Sequence, residues 1–263
     1  MKFCTLMSGS SGNAFYVETA QTKIMIDAGK SGKALAQALE IACGRSPEEL
    51  DALFLSHGHQ DHILGAGVMA RRYEQLSVYA TEGTWGEIEG QIGSIKEEQK
   101  HYISDNQTLE LGDLKIEFFP VSHDACEPIG FLFTHREKKL GIATDSGVFT
   151  PRMAEVLHNV DCLVLEANHD PELLKKGPYP WPLKKRVSSA QGHLSNQQAG
   201  LALVQTLGSQ TRQVVLTHLS AENNKPALAL ATVEKTLEKN HFSLKEVEIT
   251  VAPRHRPSVY LSI

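Results

Sequence analysis

Apolar residues recur along this chain in two rhythms, and the switch between them lays out its elements. Near the start F-C-T-L-M, A-F-Y-V-E-T and K-I-M-I-D-A-G alternate or run apolar with β-branched and aromatic members, which predicts three strands within residues 3–27. Lys33–Ala42 carries Leu35, Leu39 and Ile41 at near-helical spacing and predicts a surface helix. Ser46-Pro47-Glu48-Glu49 has the capping residue and first-turn proline of a helix start. Further strands are predicted at 52–55, 78–81, 116–121, 129–134, 139–144, 161–166, 213–217 and 246–251, with a hairpin turn at Gly112-Asp113. Helices are predicted from Ile63 onward and over Thr84–Ile95, Ser195–Leu207 and Lys225–Lys239. The prolines between Pro171 and His193 predict irregular chain there. Strands followed by helices occur twice, over roughly 1–98 and 99–263. That order predicts an α/β layered fold, an αββα sandwich of two βα halves in a single domain.

The polar residues that end the apolar strands form a second pattern. Strand 52–55 runs into S-H-G-H-Q-D-H, which places His57, His59, Asp61 and His62 within one short turn. Strand 116–121 ends at Ser122-His123, 139–144 at Asp145, 161–166 in Glu166, and 213–217 at His218. In layered α/β folds, sites gather at strand ends because loops there converge on one edge. Imidazole and carboxylate donors together suit zinc, manganese or iron. Their number exceeds what one ion needs, so two divalent metal ions are expected. Asp27, closing an apolar strand before Ala28-Gly29, reads as a support for the histidine turn rather than a ligand.

Composition narrows the class. With 263 residues, 41% of them hydrophobic and 22% charged, the chain has material for a sizeable core. No apolar run approaches the roughly 20 residues of a membrane span, and the apolar start is too short for a signal peptide. The expectation is a cytoplasmic protein with no membrane partner. Cys4, Cys43, Cys126 and Cys162 are scattered, which argues against a thiolate zinc site and a disulfide framework. A net charge of −5 gives no global attraction for nucleic acid, so phosphate binding requires a local patch.

The segment 171–193 offers one, with Lys175, Lys176, Lys184, Lys185 and Arg186 around Tyr179 and Trp181. Basic and aromatic residues so mixed suit a phosphate backbone with stacked bases, and a plain solvated loop is the alternative. The Ser8–Asn13 loop adds Ser10 and Asn13 as candidate substrate contacts, against the alternative of a simple hairpin turn. His193 lies just before a helix cap, where an anion is favoured. Arg254, His255 and Arg256 could add to a phosphate patch, but a surface role is the expectation.

Taken in order, Asp27 in I-D-A-G, the H-x-H-x-D-H of His57 to His62, His123, Asp145 in A-T-D-S-G and His218 in L-T-H-L-S resemble the metallo-β-lactamase superfamily. The resemblance implies that His57, His59 and His123 hold one metal, that Asp61, His62 and His218 hold the other, and that Asp145 bridges them. An aspartate at the bridging position looks more like a phosphodiesterase than a lactamase. G-H-L-S-N-Q-Q-A at 192–199 is similar to the H-S-T-x-x-Q-A element of tRNA 3′-processing nucleases, which implies a catalytic His193 oriented by Glu166. The chain lacks the extended exosite arm of those enzymes. S-G-S-S-G-N at 8–13, E-A-N-H-D at 166–170, G-P-Y-P-W-P-L-K-K-R at 177–186 and H-L-S-A-E-N-N at 218–224 look most like the YycJ/WalJ-type exonuclease branch.

That branch implies 5′-to-3′ hydrolysis of DNA rather than RNA, with metal-assisted attack on phosphorus. Asp61 would orient the attacking water, and Lys184, Lys185 and Arg186 would grip flanking phosphates. A small-molecule metallohydrolase acting on a cyclic phosphodiester, thioester or lactam, and a tRNA-end nuclease, are the alternative readings. The oligomeric state is left open.

Overall fold

The computed structural model describes residues 1–243 and 245–263. Strands β1 (Lys2–Met7), β2 (Ala14–Glu18) and β3 (Lys23–Ile26) pair antiparallel in sequence order. β4 (Ala52–Phe54), β5 (Ser77–Thr81) and β6 (Lys100–Ile103) extend that sheet in parallel. In the second sheet β7 (Thr108–Leu111), β8 (Leu114–Pro120), β9 (Ile129–His135) and β10 (Lys138–Ala143) pair antiparallel. β11 (Cys162–Glu166), β12 (Gln213–Thr217) and β13 (Glu248–Val251) continue it in parallel. Strand β14 (Leu261–Ser262) returns to the free edge of β1.

Alternation within the strands decides which face meets what. Phe15 and Val17 of β2 point between the sheets, where they join Phe54, Phe118, Phe131 and Val164; Ala14 and Tyr16 point outward. In β11 the same alternation sends Cys162 and Val164 inward and Leu163 and Leu165 outward. Both faces of each sheet are therefore buried, and helices must cover the outer ones. Helices α1 (Gly32–Cys43), α2 (Gln60–Ile63), α3 (Ala66–Arg72) and α4 (Glu82–Ile88) lie in the first half. Of these, α1, α3 and α4 send Leu35, Met69 and Trp85 into the outer core of the first sheet. On the second sheet α5 (Pro151–Val156), α6 (Pro171–Lys176), α7 (Trp181–Val187), α8 (Asn196–Thr206) and α9 (Pro226–Lys239) follow, with Met153, Leu203 and Val233 in its outer core. The result is the αββα sandwich, in a single domain.

Three elements differ from the sequence expectation. The proline-rich stretch 171–193 is not irregular: it holds α6 and α7, and their prolines occupy the first helical turn. A proline there lacks only an N–H that has no intrahelical partner anyway, so it starts a helix rather than breaking one. The helix expected over Thr84–Ile95 is capped by Thr81 and ends at Ile88. Gly90 and Gly93 follow with φ of 79° and 74°, a left-handed backbone that no helix continues through. The crossing between sheets falls after β6, at 104–107, and the C-terminal β14 rejoins the first sheet.

Glu18 ties that returning tail to the body of the fold. Its Oε1 accepts from Arg45 Nη2 at 2.6 Å, and its Oε2 accepts from the hydroxyls of Tyr16 at 2.8 Å and Tyr260 at 2.6 Å. Burial pushes the carboxyl up, but the bonds from Arg45, Tyr260 and Tyr16 outweigh it and hold the pKa at about 2. A carboxyl whose folded pKa lies below its ordinary 4.5 stabilises the fold above that value and loses the contribution as pH falls towards about 2. Glu18→Gln is expected to lower Tm at neutral pH and to flatten the decline of Tm between pH 4.5 and about 2. Thermal melts across that window check it, and a slope identical to wild type would refute the assignment.

Candidate metal centre

Parallel strands set the site. β3 and β4 in one sheet, and β10, β11 and β12 in the other, point their C-terminal ends to one edge of the sandwich. Asp27, one residue beyond β3, takes a φ of 60°, a left-handed conformation costly for an aspartate. Three bonds hold it: its Oδ1 accepts from Ser56 N at 2.8 Å, its Oδ2 from Ser56 Oγ at 2.9 Å, and His62 Nδ1 lies 2.7 Å from Oδ2. Asp61 and His62 sit in the single turn of α2. Its carbonyls accept from Asn13 N (2.8 Å, to Asp61) and Ala28 N (2.7 Å, to His62). Gly29 makes this approach possible, because a Cβ there would lie 1.7 Å from Asp61 O.

The second sheet supplies the facing residues. His123 follows β8 and directs Nδ1 to Gly192 O at 3.0 Å. Asp145 and His218, beyond β10 and β12, also take left-handed φ values of 55° each. His218 is held through its backbone, with its N donating to Ser8 Oγ at 2.9 Å and its O accepting from Asn168 Nδ2 at 2.9 Å. Glu166 closes β11 fully buried. Its Oε2 accepts from the Ser146 and Leu194 amides, both at 3.1 Å, and its Oε1 meets His193 Nδ1 at 2.7 Å and His218 Nδ1 at 2.8 Å.

These bonds leave one nitrogen of each ring turned inward. His57 directs Nδ1 to Ser56 Oγ at 3.0 Å, and His59 Nδ1 lies 3.1 Å from His123 Nε2. His57, His59 and His123 thus form one triangle of metal-competent atoms. Asp61, His62 and His218 form another, and Asp145 joins His57 and His62 on one side and His218 on the other. His57 Nε2, His218 Nε2 and Asp145 Oδ2 are buried and, among the described residues, make no hydrogen bond. Buried polar atoms without partners are costly unless something binds them, and imidazole nitrogens with a carboxylate oxygen are the donors a divalent cation takes. The residues fit such ions.

The electrostatics agree. Burial opposes charge on His62, but Asp27, Asp145 and Asp61 outweigh it and push its pKa up to about 9. Burial opposes charge on His218 as well, and Asp145, Asp61 and Glu166 push it well above the ordinary imidazole value. Asp61 and Glu166, which burial alone would raise, are held well below the carboxylate range by His62 and His218 and by His193 and His218 respectively. His57 goes the other way: burial and its neighbours His62 and His123 push it well below, so its ring stays neutral and its Nε2 lone pair free. The carboxylates therefore draw positive charge into the site, and a bound cation relieves the same field.

The candidate substrate contacts separate. Ser10 is exposed at the tip of its loop. Asn13 is not available to substrate, because it is fully buried. Its Oδ1 accepts from Gly9 N at 2.9 Å, and its Nδ2 meets His62 Nε2 at 3.0 Å and Asp61 Oδ2 at 3.3 Å. Its place is beside the metal turn. Lys185 is exposed on α7, while Lys184 donates to Lys175 O at 2.8 Å. Arg186 makes a two-pronged pair with Asp124, one prong at 3.0 Å, and so is tied to the rim of the cluster rather than free. Asp124 in turn lies 3.5 Å from His123 Nε2 and 3.9 Å from His59 Nε2.

Sequence reasoning passed over Asp124, Ser56, Ser8 and Asn168. The first two adjoin histidines already singled out, which was the available signal. Ser8 and Asn168 lie within the quoted motifs at 8–13 and 166–170, but their role did not show there, since their bonds to the His218 backbone cross 210 and 50 residues.

The beta-lactamase superfamily domain model matches residues 22–219. Exodeoxyribonuclease WalJ of Streptococcus pneumoniae is 44% identical over 238 residues, 90% of this chain and 88% of that protein. Exodeoxyribonuclease YycJ of Bacillus anthracis is 40% identical over 246 residues, 94% of this chain and 92% of that protein. Among solved structures, the metallo-β-lactamase fold protein YhfI from Bacillus subtilis superposes with a TM-score of 0.74 at 18% identity, covering 98% of both chains, a likeness of fold alone. Alike in sequence over most of its length and in the course of its backbone, the chain belongs to the metallo-β-lactamase-fold members of the beta-lactamase superfamily.

Proposed function

We infer that this protein is a metal-dependent phosphodiesterase that hydrolyses DNA from an end, proceeding 5′ to 3′, with two divalent ions of zinc, manganese or iron as cofactors. The observation that carries the reading is the His193–Glu166 pair on the open side of the metal-competent cluster, in a chain alike over most of its length to exodeoxyribonucleases. His57, His59 and His123 would hold one ion, Asp61, His62 and His218 the other, with Asp145 between them and Asp27 orienting His62. Ions held there supply Lewis-acid activation and charge neutralisation for an in-line displacement at phosphorus.

The chain's own residues do the rest. Asp61, held ionised, orients the attacking water. His193 commits Nδ1 to Glu166, so its Nε2 faces substrate and donates a proton to the leaving oxygen. The carboxylate behind the ring fixes the tautomer and stabilises the imidazolium that donates. Lys185 and exposed Trp181 supply phosphate and base contacts along the strand, and Arg186 reaches a phosphate only by giving up a prong of its pair with Asp124. Exposed Ser10, in the Ser/Gly loop, is a further candidate contact. Among the described residues no helix is long and apolar enough to cross a membrane.

Metal content is the first check. Elemental analysis of protein loaded with zinc or manganese is expected to give two ions per chain, and Asp27→Asn to weaken binding about 10–100-fold. One ion per chain, or unchanged affinity, would overturn the assignment. His193→Ala is expected to keep both metals and lose about 10²–10⁴-fold in kcat on DNA. Wild-type kcat in a metal-replete variant would remove His193 from the mechanism. End-labelled duplex and single-stranded DNA and RNA decide substrate and polarity. Mononucleotide release from the 5′ end of DNA is expected; turnover of a small phosphodiester with every polynucleotide left intact would promote the small-molecule hydrolase instead.

A further inference from the structure

Beside the metal centre, a cavity of about 340 Å³ opens between the Ser/Gly loop, the segment after His218 and the chain leaving β13. Ser8, Ser220, Asn224, Pro226, Arg254 and Arg256 line it. One wall is the back of the His218 loop, since Ser8 Oγ accepts from His218 N at 2.9 Å and hydrogen-bonds Thr217 Oγ1 at 2.7 Å. The catalytic edge and this cavity therefore share a frame.

The arginines here differ from most others in the fold. Arg45, Arg152, Arg186 and Arg212 are ion-paired with carboxylates, whereas among the described residues Arg254 and Arg256 are not. Arg254 is half-buried: one Nη donates to Leu219 O, and the other packs on Gly9, where a Cβ would lie 2.8 Å from it. The glycine, with φ of 125°, leaves the slot through which the guanidinium reaches the cavity. Exposed Glu222 is the nearby carboxylate that acts on it, at a distance that makes no ion pair. Helix α9 begins at Pro226 in the same wall with no side-chain cap, so the positive end of a 14-residue helix adds to the two guanidinium charges. A half-buried guanidinium with no anionic partner, backed by a second arginine and a helix end, is a site for a phosphate.

We propose that this cavity is a phosphate subsite, in which Arg254 and Arg256 hold a phosphate of the nucleic-acid strand flanking the one at the metal centre. The proposal rests on the nuclease reading above for its polynucleotide, and on the cavity for its site. Arg256 is exposed, so Arg256→Gln leaves the fold alone, and Arg254→Lys keeps the charge and the packing stem while losing the planar fork.

The holoenzyme, each variant and the double variant are compared on oligonucleotides bearing a 5′-phosphate or a 5′-hydroxyl, and on bis(p-nitrophenyl) phosphate. The variants are expected to lose about tenfold more kcat/KM on the oligonucleotides than on the small diester, mostly in KM. In Arg256→Gln and the double variant, the salt dependence of binding to a phosphorothioate-blocked oligonucleotide should fall by about one unit of log–log slope, and in Arg254→Lys, which keeps the charge, it should not. A loss confined to the 5′-phosphorylated strand places the terminal monoester in the cavity; an equal loss on both strands places a backbone diester there. Equal losses on oligonucleotide and small diester, or no loss on either, overturn the subsite.

The shift in Tm caused by inorganic phosphate separates this failure from failure of the nuclease reading. If polynucleotides are inert but the double variant abolishes part of that shift, the phosphate site stands and the nuclease reading falls. A shift identical in wild type and double variant removes the subsite whatever the substrate proves to be.

Discussion

The structure depends on gathering carboxylates where water is scarce. Asp27, Asp145 and Glu166 are buried at one edge of the sandwich, with Asp61 beside them, and none is matched by a lysine or arginine inside the cluster. Buried charge so arranged is strongly unfavourable unless compensated. Compensation comes from imidazoles, of which His57, His62, His123 and His218 are fixed by Nδ1 and turned inward with Nε2. The pairs His62–Asp27 and His218–Glu166 have the form in which a carboxylate sets a ligand's tautomer and raises its basicity. The fold therefore carries an anionic pocket whose natural counter-charge is a cation, and much of the surrounding polar network exists to hold that pocket open.

Backbone strain marks the same place. Asp27, Asp145 and His218 all adopt left-handed conformations immediately after strands, each costing roughly 1–3 kcal/mol for a residue with a side chain. A glycine would relieve the strain but would remove the donor. What offsets it is local: Ser56 grips Asp27 with backbone and hydroxyl, while Ser8 and Asn168 grip the two ends of the His218 peptide. Ser8 follows β1 of the first sheet and His218 follows β12 of the second, so one hydroxyl registers the two halves against each other where their donors meet. Strain and its compensation are thus part of the positioning, not an accident of loop closure.

Much of this was legible in the chain because its determinants are local. An apolar run ending in histidine or aspartate is visible without a partner, and the strands ending at His57, His123, Asp145, Glu166 and His218 all converge as that pattern implies. What stayed hidden is set by contacts between distant segments. Asn13 reads in the sequence as a candidate substrate contact, because a Ser/Gly-rich stretch does not reveal which side chain folds inward. Arg186 looked free until Asp124, 62 residues earlier, was found beside it. The prolines of 171–193 were weighed as helix breakers, although at the first turn the same ring favours a helix. β14 is two residues long, too short for any periodicity, and exists because β1 has an open edge for it.

The shared oxygen of Glu166 connects the metal-competent cluster to His193. Oε1 takes hydrogen bonds from both His193 and His218, so one carboxylate charge orients a ring beside the cluster and a metal-competent ring within it. The two tasks are then coupled. Any change in how strongly His218 draws on that oxygen alters what the oxygen offers His193. A single buried carboxylate, fixed by the Ser146 and Leu194 amides on its other oxygen, thereby links the two rings. Substituting it would disturb both functions at once, whereas substituting His193 isolates one, and this asymmetry distinguishes a shared support from two residues that merely lie close.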